Sequence, residues 1–428
     1  MGTSAQSLRR RAGTVVLGLA TAATLLVGFG GGQALAEPDS AAWGHGDWVG
    51  TWAAPPQLPS AGFVPNWSES GFTNNSVREV VRISAGGAGA RITLSNAHGT
   101  KPLRVTGASV ARAGVGAAVE PGSARELTFR HREGTVIPAG GEAVSDTAWL
   151  WTRPAELLAV TLYFADATGP VDYHMVSSET SYLADGDHRA DASAAAFAKT
   201  STSWYVLDGV EVVGGDARKT VVAFGDSITD GYGSTVDAND RYPDQLADRL
   251  TAAGRPRAVA NAGIAGNRVL NDSPCFGEKA ASRLQRDVFD QPGARTVIVL
   301  EGINDIGFSY FDNPCAKPNQ LVTTQELIAA HREIIRQLHA HGLKAIGATL
   351  TPFKGAGYYT DAGNQTRKEL NDWIRTSGEY DAVVDFSSAL ANPADPEAVR
   401  AEFDSGDHLH PNAAGYRAMA AAVDLDLL

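Results

Sequence analysis

Cysteine is almost absent from this chain: Cys275 and Cys315 are the two in 428 residues. A cysteine-based metal site needs further ligands at suitable spacing, and none sits near either residue. A single disulfide between them is therefore expected, provided the compartment is oxidising. Positive charge is also short. The 36 lysines and arginines face 48 aspartates and glutamates, for a net charge of −12. That balance speaks against nucleic acid or an anionic membrane surface as a partner. Beyond the first 36 residues no apolar run is long enough to span a bilayer. There is no internal repeat and no low-complexity tract. His331, His339 and His341 fall on or just beyond one predicted helix, but none is paired at i, i+4, the spacing that puts two imidazoles on one face. They read as solvated helix-face histidines, and no metal site is expected.

What the chain does have begins with a leader. Arg9, Arg10 and Arg11 precede an apolar stretch from Thr14 to Phe29, and Ala34-Leu35-Ala36 stands before Glu37. Basic, apolar and small-residue segments in that order describe a secretory signal peptide over residues 1–36, cleaved near Ala36. Glycines, threonines and alanines dilute the apolar stretch, which makes it short for a membrane anchor. A secreted, extracellular protein is the expectation, with the export route open. Loss of the leader removes three arginines and leaves 33 basic against 48 acidic residues, a net −15.

The remainder divides by periodicity. From Trp48 to Val213 short alternating runs such as Val80–Ile83, Ala90–Leu94, Leu127–Phe129 and Ala159–Phe164 are separated by Gly-rich turns. This pattern predicts an all-β sandwich, jelly-roll-like, over residues 43–215. The alanine-rich stretch Asp191–Lys199 reads either as a helical turn or as a loop. Tryptophans 48, 52, 67, 149, 151 and 204 fall in this region, with core packing the default for most.

After Gly214-Gly215 apolar strand-like runs alternate with amphipathic ones. Thr220–Phe224, Ala258–Asn261, Thr296–Leu300, Ala345–Leu350 and Ala382–Phe386 are each followed by a helical pattern. Such alternation predicts a three-layer α/β/α domain with a parallel sheet over residues 216–428. The short junction predicts that the two parts pack directly.

In a parallel sheet the loops after the strands share one edge, where ligands bind. The first strand ends at Gly225-Asp226-Ser227, a tight turn that presents a hydroxyl. The second runs into Asn261-Ala262-Gly263-Ile264-Ala265-Gly266-Asn267. The third runs into Gly302-Ile303-Asn304-Asp305. The final loop holds Asp407-His408-Leu409-His410-Pro411. His410 is positioned to serve as general base toward Ser227, and Asp407 to orient the imidazole. The Ser227 and Gly266 N–H groups and the Asn304 side chain would receive an oxyanion. Gly263 is an alternative to Gly266, since both follow the second strand. Asp226, Asp230 and Asp305 read as loop-bonding carboxylates beside the site, and His408 as a surface or supporting residue.

These four blocks, in this order from about Thr220 to the C-terminus, resemble those of the SGNH/GDSL hydrolase family. The resemblance implies a flavodoxin-like α/β/α fold and ester hydrolysis without metal or organic cofactor. It implies Ser227 as nucleophile, Asp407 and His410 as its partners, and Gly266 with Asn304 as oxyanion donors. The β-rich region is similar to that of secreted bacterial acylhydrolases and arylesterases. The expected activity is removal of short acyl groups, acetyl above all, from alcohols or carbohydrates. A lipase or phospholipase for longer chains is the alternative within that chemistry. A glycan-binding protein with a vestigial hydrolase half is the alternative outside it.

Overall fold

The computed structural model describes residues 47–428, which fall within one compact unit. The leader, its cleavage point and the first residues of the expected β-sandwich lie outside the described residues. Among those described, no helix is long and apolar enough to cross a membrane.

The alternating runs before Val213 form two larger antiparallel sheets and two short strand pairs. One orders its strands Val49–Ala53, Leu207–Val213, Gly89–Asn96 and Gly141–Val144. The other orders Lys199–Ser201, Ser181–Asp185, Asn75–Arg82, Leu157–Phe164, Gly107–Arg112 and Arg125–Leu127. Val77 and Val81 from the second sheet and Ile92, Leu94 and Val210 from the first bury into one shared core. That shared core makes the pair a sandwich. Asp191–Ala198 is an irregular loop leading into the Lys199–Ser201 strand. Trp48, Trp52 and Trp204 are buried as expected, whereas Trp151 is open to solvent.

Beyond the junction the strands Ala258–Gly263, Thr220–Gly225, Ala294–Leu300, Lys344–Ala348 and Ala382–Val384 form a parallel sheet in that order. Numbered along the chain this is 2-1-3-4-5, the flavodoxin-like arrangement. Helix Tyr242–Ala252 packs with Ala413–Ala422, and Thr324–Ala340 packs with Asp361–Thr376. These two groups cover the sheet. Strand order reverses between Thr220–Gly225 and Ala294–Leu300, so the crevice at their carboxyl ends is the place for a ligand.

The two sheet systems meet without a linker. Gly50 N–H donates to the Pro292 carbonyl at 2.8 Å. Ser84 Oγ accepts the Val259 N–H at 2.8 Å and lies 2.8 Å from the Val259 carbonyl oxygen. The short junction thus does what its length implies.

His331 differs from its expected setting. It is fully buried, with Nδ1 2.7 Å from the Tyr380 hydroxyl. Burial lowers it to about 4, so it is neutral. It sits on the inward stripe of its helix with Leu327, Ile334 and Leu338, which a polar residue can occupy when a neighbour satisfies it.

Candidate active site

Strand Thr220–Gly225 is buried throughout and gives way to a single helical turn, Ser227–Asp230. Asp226 caps that turn by accepting the Ile228 N–H at 3.0 Å. Burial pushes the Asp226 carboxyl up to about 7, despite that hydrogen bond. The cap places Ser227 at the first helical position. No described group accepts its N–H.

The final loop returns to this point. His410 Nε2 lies 2.8 Å from Ser227 Oγ, and His410 Nδ1 lies 2.5 Å from Asp407 Oδ2. The other Asp407 oxygen accepts the N–H groups of Leu409 at 3.0 Å and His410 at 2.8 Å. Partial burial pushes Asp407 up, but the His410 imidazole and those two N–H groups more than offset it. Its carboxylate is held far below the usual range. With Oδ2 on Nδ1, the imidazole presents Nε2 to the serine as an acceptor. His408 points elsewhere, with Nδ1 2.6 Å from Asp404 Oδ2.

The two glycines of the second-strand loop have different surroundings. Gly263 N–H is already used, donating to Asn261 Oδ1 at 2.9 Å. A Cβ on Gly263 would stand 2.2 Å from the Asp230 nitrogen, so this glycine lets two backbones meet. Gly266 adopts φ +78°, and no described group accepts its N–H. Gly263 is therefore a packing position.

Asn304 is buried at the start of helix Ile303–Phe308. Its Nδ2 donates to the Asn267 carbonyl at 3.0 Å, and its Oδ1 accepts the Tyr358 hydroxyl at 3.3 Å. Those bonds hold the amide and occupy one of its two N–H groups. The three flanking aspartates bond loops, as expected. Asp305 accepts the Val269 and Leu270 N–H groups at 2.8 and 3.0 Å, and burial raises it to about 6. Asp230 accepts the Ala265 N–H at 2.9 Å. Cys275 and Cys315 form a disulfide beside the loop that carries Phe276.

Several supporting residues carry no mark in the sequence. Tyr358 holds Asn304, and Tyr232 places its ring centroid 4.5 Å from that of His410. His174, from the sandwich, reaches Asp230. Arg283 is fully buried and donates to the Gly225 and Ala262 carbonyls at 2.9 and 2.8 Å. It thereby ties together the ends of the two strands that launch the Ser227 and Gly266 loops. Their partners lie on distant segments, and a lone sequence shows no such pairing. Among the described residues no group of three or more His, Cys, Asp or Glu side chains is arranged to hold a metal ion.

Residues 223–418 match the GDSL-like lipase/acylhydrolase family. The C-terminal part of this chain belongs to that family. Solved structures similar to this family domain include LAE5, an alpha/beta hydrolase enzyme from the metagenome of Lake Arreo, Spain, 25% identical, with 48% of this chain and 93% of that chain covered and a TM-score of 0.37. An acetyl-xylooligosaccharide esterase variant from Geobacillus Stearmophilus is 23% identical over 48% of this chain and 92% of its own, with a TM-score of 0.37. A GDSL-like lipase from Bacteroides thetaiotaomicron is 17% identical over 49% and 87%, also at 0.37. A search of curated proteins finds no match. Residues 223–418 thus carry a GDSL-like lipase/acylhydrolase domain.

Proposed function

We propose that this protein is a serine esterase that removes short acyl groups, acetyl above all, from alcohols or carbohydrates. The observation that carries the reading is the relay from Asp407 through His410 to Ser227, at 2.5 and 2.8 Å. His410 takes the Ser227 proton as Oγ attacks the ester carbonyl carbon. Negative charge then develops on the carbonyl oxygen, opposite the N–H groups of Ser227 and Gly266 and the Asn304 amide. Collapse of this intermediate breaks the bond to the alcohol oxygen, which receives the proton from His410. The acyl group stays on Ser227. Water then attacks, giving its proton to His410, and the carboxylic acid departs as Ser227 Oγ recovers a proton. No step draws on a metal or organic cofactor.

The preference for short acyl groups is the reading drawn from the sequence; a cavity of about 150 Å3, lined by Phe311, Tyr358, Asp407 and Leu409, lies at the Asp407 end of the relay. The decisive test is Ser227→Ala against an aryl acetate. Hydrolysis should vanish while the melting temperature stays close to wild type, and retained turnover would sink the assignment. A series of aryl esters of increasing chain length should peak at the shortest members; a maximum at long chains favours the lipase alternative.

Export completes the proposal, motivated by the basic, apolar and A-x-A order of residues 1–36. Protein recovered from the culture medium should begin near Glu37. Full-length protein retained in the cell would contradict it.

A further inference from the structure

Aromatic rings lie against His410 and against Gly266. Tyr232 packs against His410, with ring centroids 4.5 Å apart. Phe276 lies under the oxyanion turn, where a Cβ on Gly266 would stand 2.3 Å from its ring. One further ring touches both. Phe63, from the segment between strands Val49–Ala53 and Asn75–Arg82 of the sandwich, is edge-on to Tyr232 at 5.9 Å. It is tilted against Phe276 at 6.2 Å. Phe63 therefore bridges the His410 side and the Gly266 side of the site.

Exposure separates these rings by role. Phe276 is 5% exposed and packs on Phe308, as a core residue does. Phe63 and Tyr232 remain 48% and 36% exposed. Two adjoining rings left half open beside a reactive serine form an apolar surface awaiting a partner. The reaction says which part of the ester that partner is. His410 must hand its proton to the departing alcohol oxygen, so the alcohol lies on the His410 side. Tyr232 flanks that path, and Phe63 stands at the edge of Tyr232.

We propose that Phe63 and Tyr232 form the subsite for the alcohol portion of the ester, and that it takes alcohols built on a six-membered ring with a flat apolar face. An aryl ring and the C–H face of a pyranose share this chemistry. The sandwich thereby helps select the substrate of the hydrolase half. The inference rests on the serine-esterase reading and adds the class of alcohol to it.

The test is a ratio of specificity constants, which separates recognition of the alcohol from catalysis. For the wild-type full chain, kcat/KM is measured on phenyl acetate, on a peracetylated methyl glucoside and on ethyl acetate. Phe63→Ala should lower the ratio of ring ester to ethyl ester about tenfold, the worth of one good aromatic contact with its buried area. Phe63→Trp should restore it. Trp151→Ala, which removes an exposed ring of the sandwich, serves as the control and leaves the ratio unchanged. Comparison of the phenyl and glucosyl arms identifies which ring is the better occupant. A ratio unmoved in a folded Phe63→Ala protein overturns the proposal, as does an equal loss on all three esters. Phe63→Leu keeps bulk without a flat face, and the same fall in the ratio is expected of it should the alanine variant fail to fold. Failure of the esterase reading shows itself differently, as turnover that survives Ser227→Ala.

Discussion

His174 Nε2 lies 2.9 Å from Asp230 Oδ1, and each of these side chains is 3% exposed. One belongs to the sandwich and the other to the turn that carries Ser227. The second Asp230 oxygen accepts the Ala265 N–H, one residue before Gly266. The sandwich therefore braces the loop that carries the proposed oxyanion donor.

Loss of that brace should appear in both rate and stability. His174→Gln should lower kcat roughly tenfold with a small change in KM, because the proposed donor drifts while the substrate surface remains. Burial opposes charge on His174, as does Arg241. Asp230 and the Pro55 carbonyl more than compensate, so its value lies above the ordinary 6.5. A raised value means the stabilisation is complete below 6.5 and fades as pH rises through the native value. Thermal melts across this range should show the gap between wild type and variant narrowing as pH rises. A constant gap would count against the charged pair.

Asp407 should act without titrating itself. Its carboxylate is held far below its usual range, so it stays ionised well into acid. Activity should fall on the acid side through one proton, and log kcat/KM should approach a slope of one per pH unit. A slope of two would show that Asp407 titrates with it. Asp407→Asn should cost about 10⁴-fold in kcat through the wrong imidazole tautomer.

Asn304→Ala should reduce kcat by about 100- to 1000-fold, the worth of one oxyanion donor, with KM little changed. Tyr358→Phe removes only the hydroxyl that holds Asn304 Oδ1. One hydrogen bond is worth about 1 kcal/mol, so roughly a fivefold loss is expected. Steady-state kinetics on phenyl acetate separates the two, and equal losses would contradict this order.

The disulfide should matter mainly to stability. Cys275 and Cys315 are 40 positions apart. Closing a loop of that length is worth about 4 kcal/mol by the chain-entropy account. The double serine variant should unfold at lower denaturant, while wild type under reductant should move toward it. Coincident unfolding curves would refute that contribution.

Much of this was legible because local chemistry and tertiary structure agree. The parallel strands read clearly since the first four are buried along nearly their whole length and the first two end in Gly. Ser227, Asp407 and His410 read clearly because strand-end loops in such a sheet must converge. The choice of Gly266 over Gly263 did not, since it turns on whether Asn261 consumes one N–H. His331 misled because helical spacing cannot tell an inward histidine with a tyrosine partner from an outward one. Phe63, Tyr232, His174 and Tyr358 act through contacts across the fold, and nothing adjacent in the chain announces them.

Ser84 has a consequence beyond joining two halves. Strand Ala258–Gly263 is the border of the parallel sheet, and its outer N–H and carbonyl groups are the ones Ser84 meets at Val259. The sandwich thus works as a resident chaperone for that border. A hydrolase half produced alone would expose a bare strand to other copies of itself. Its first failure would be self-association, before any question of catalysis arose.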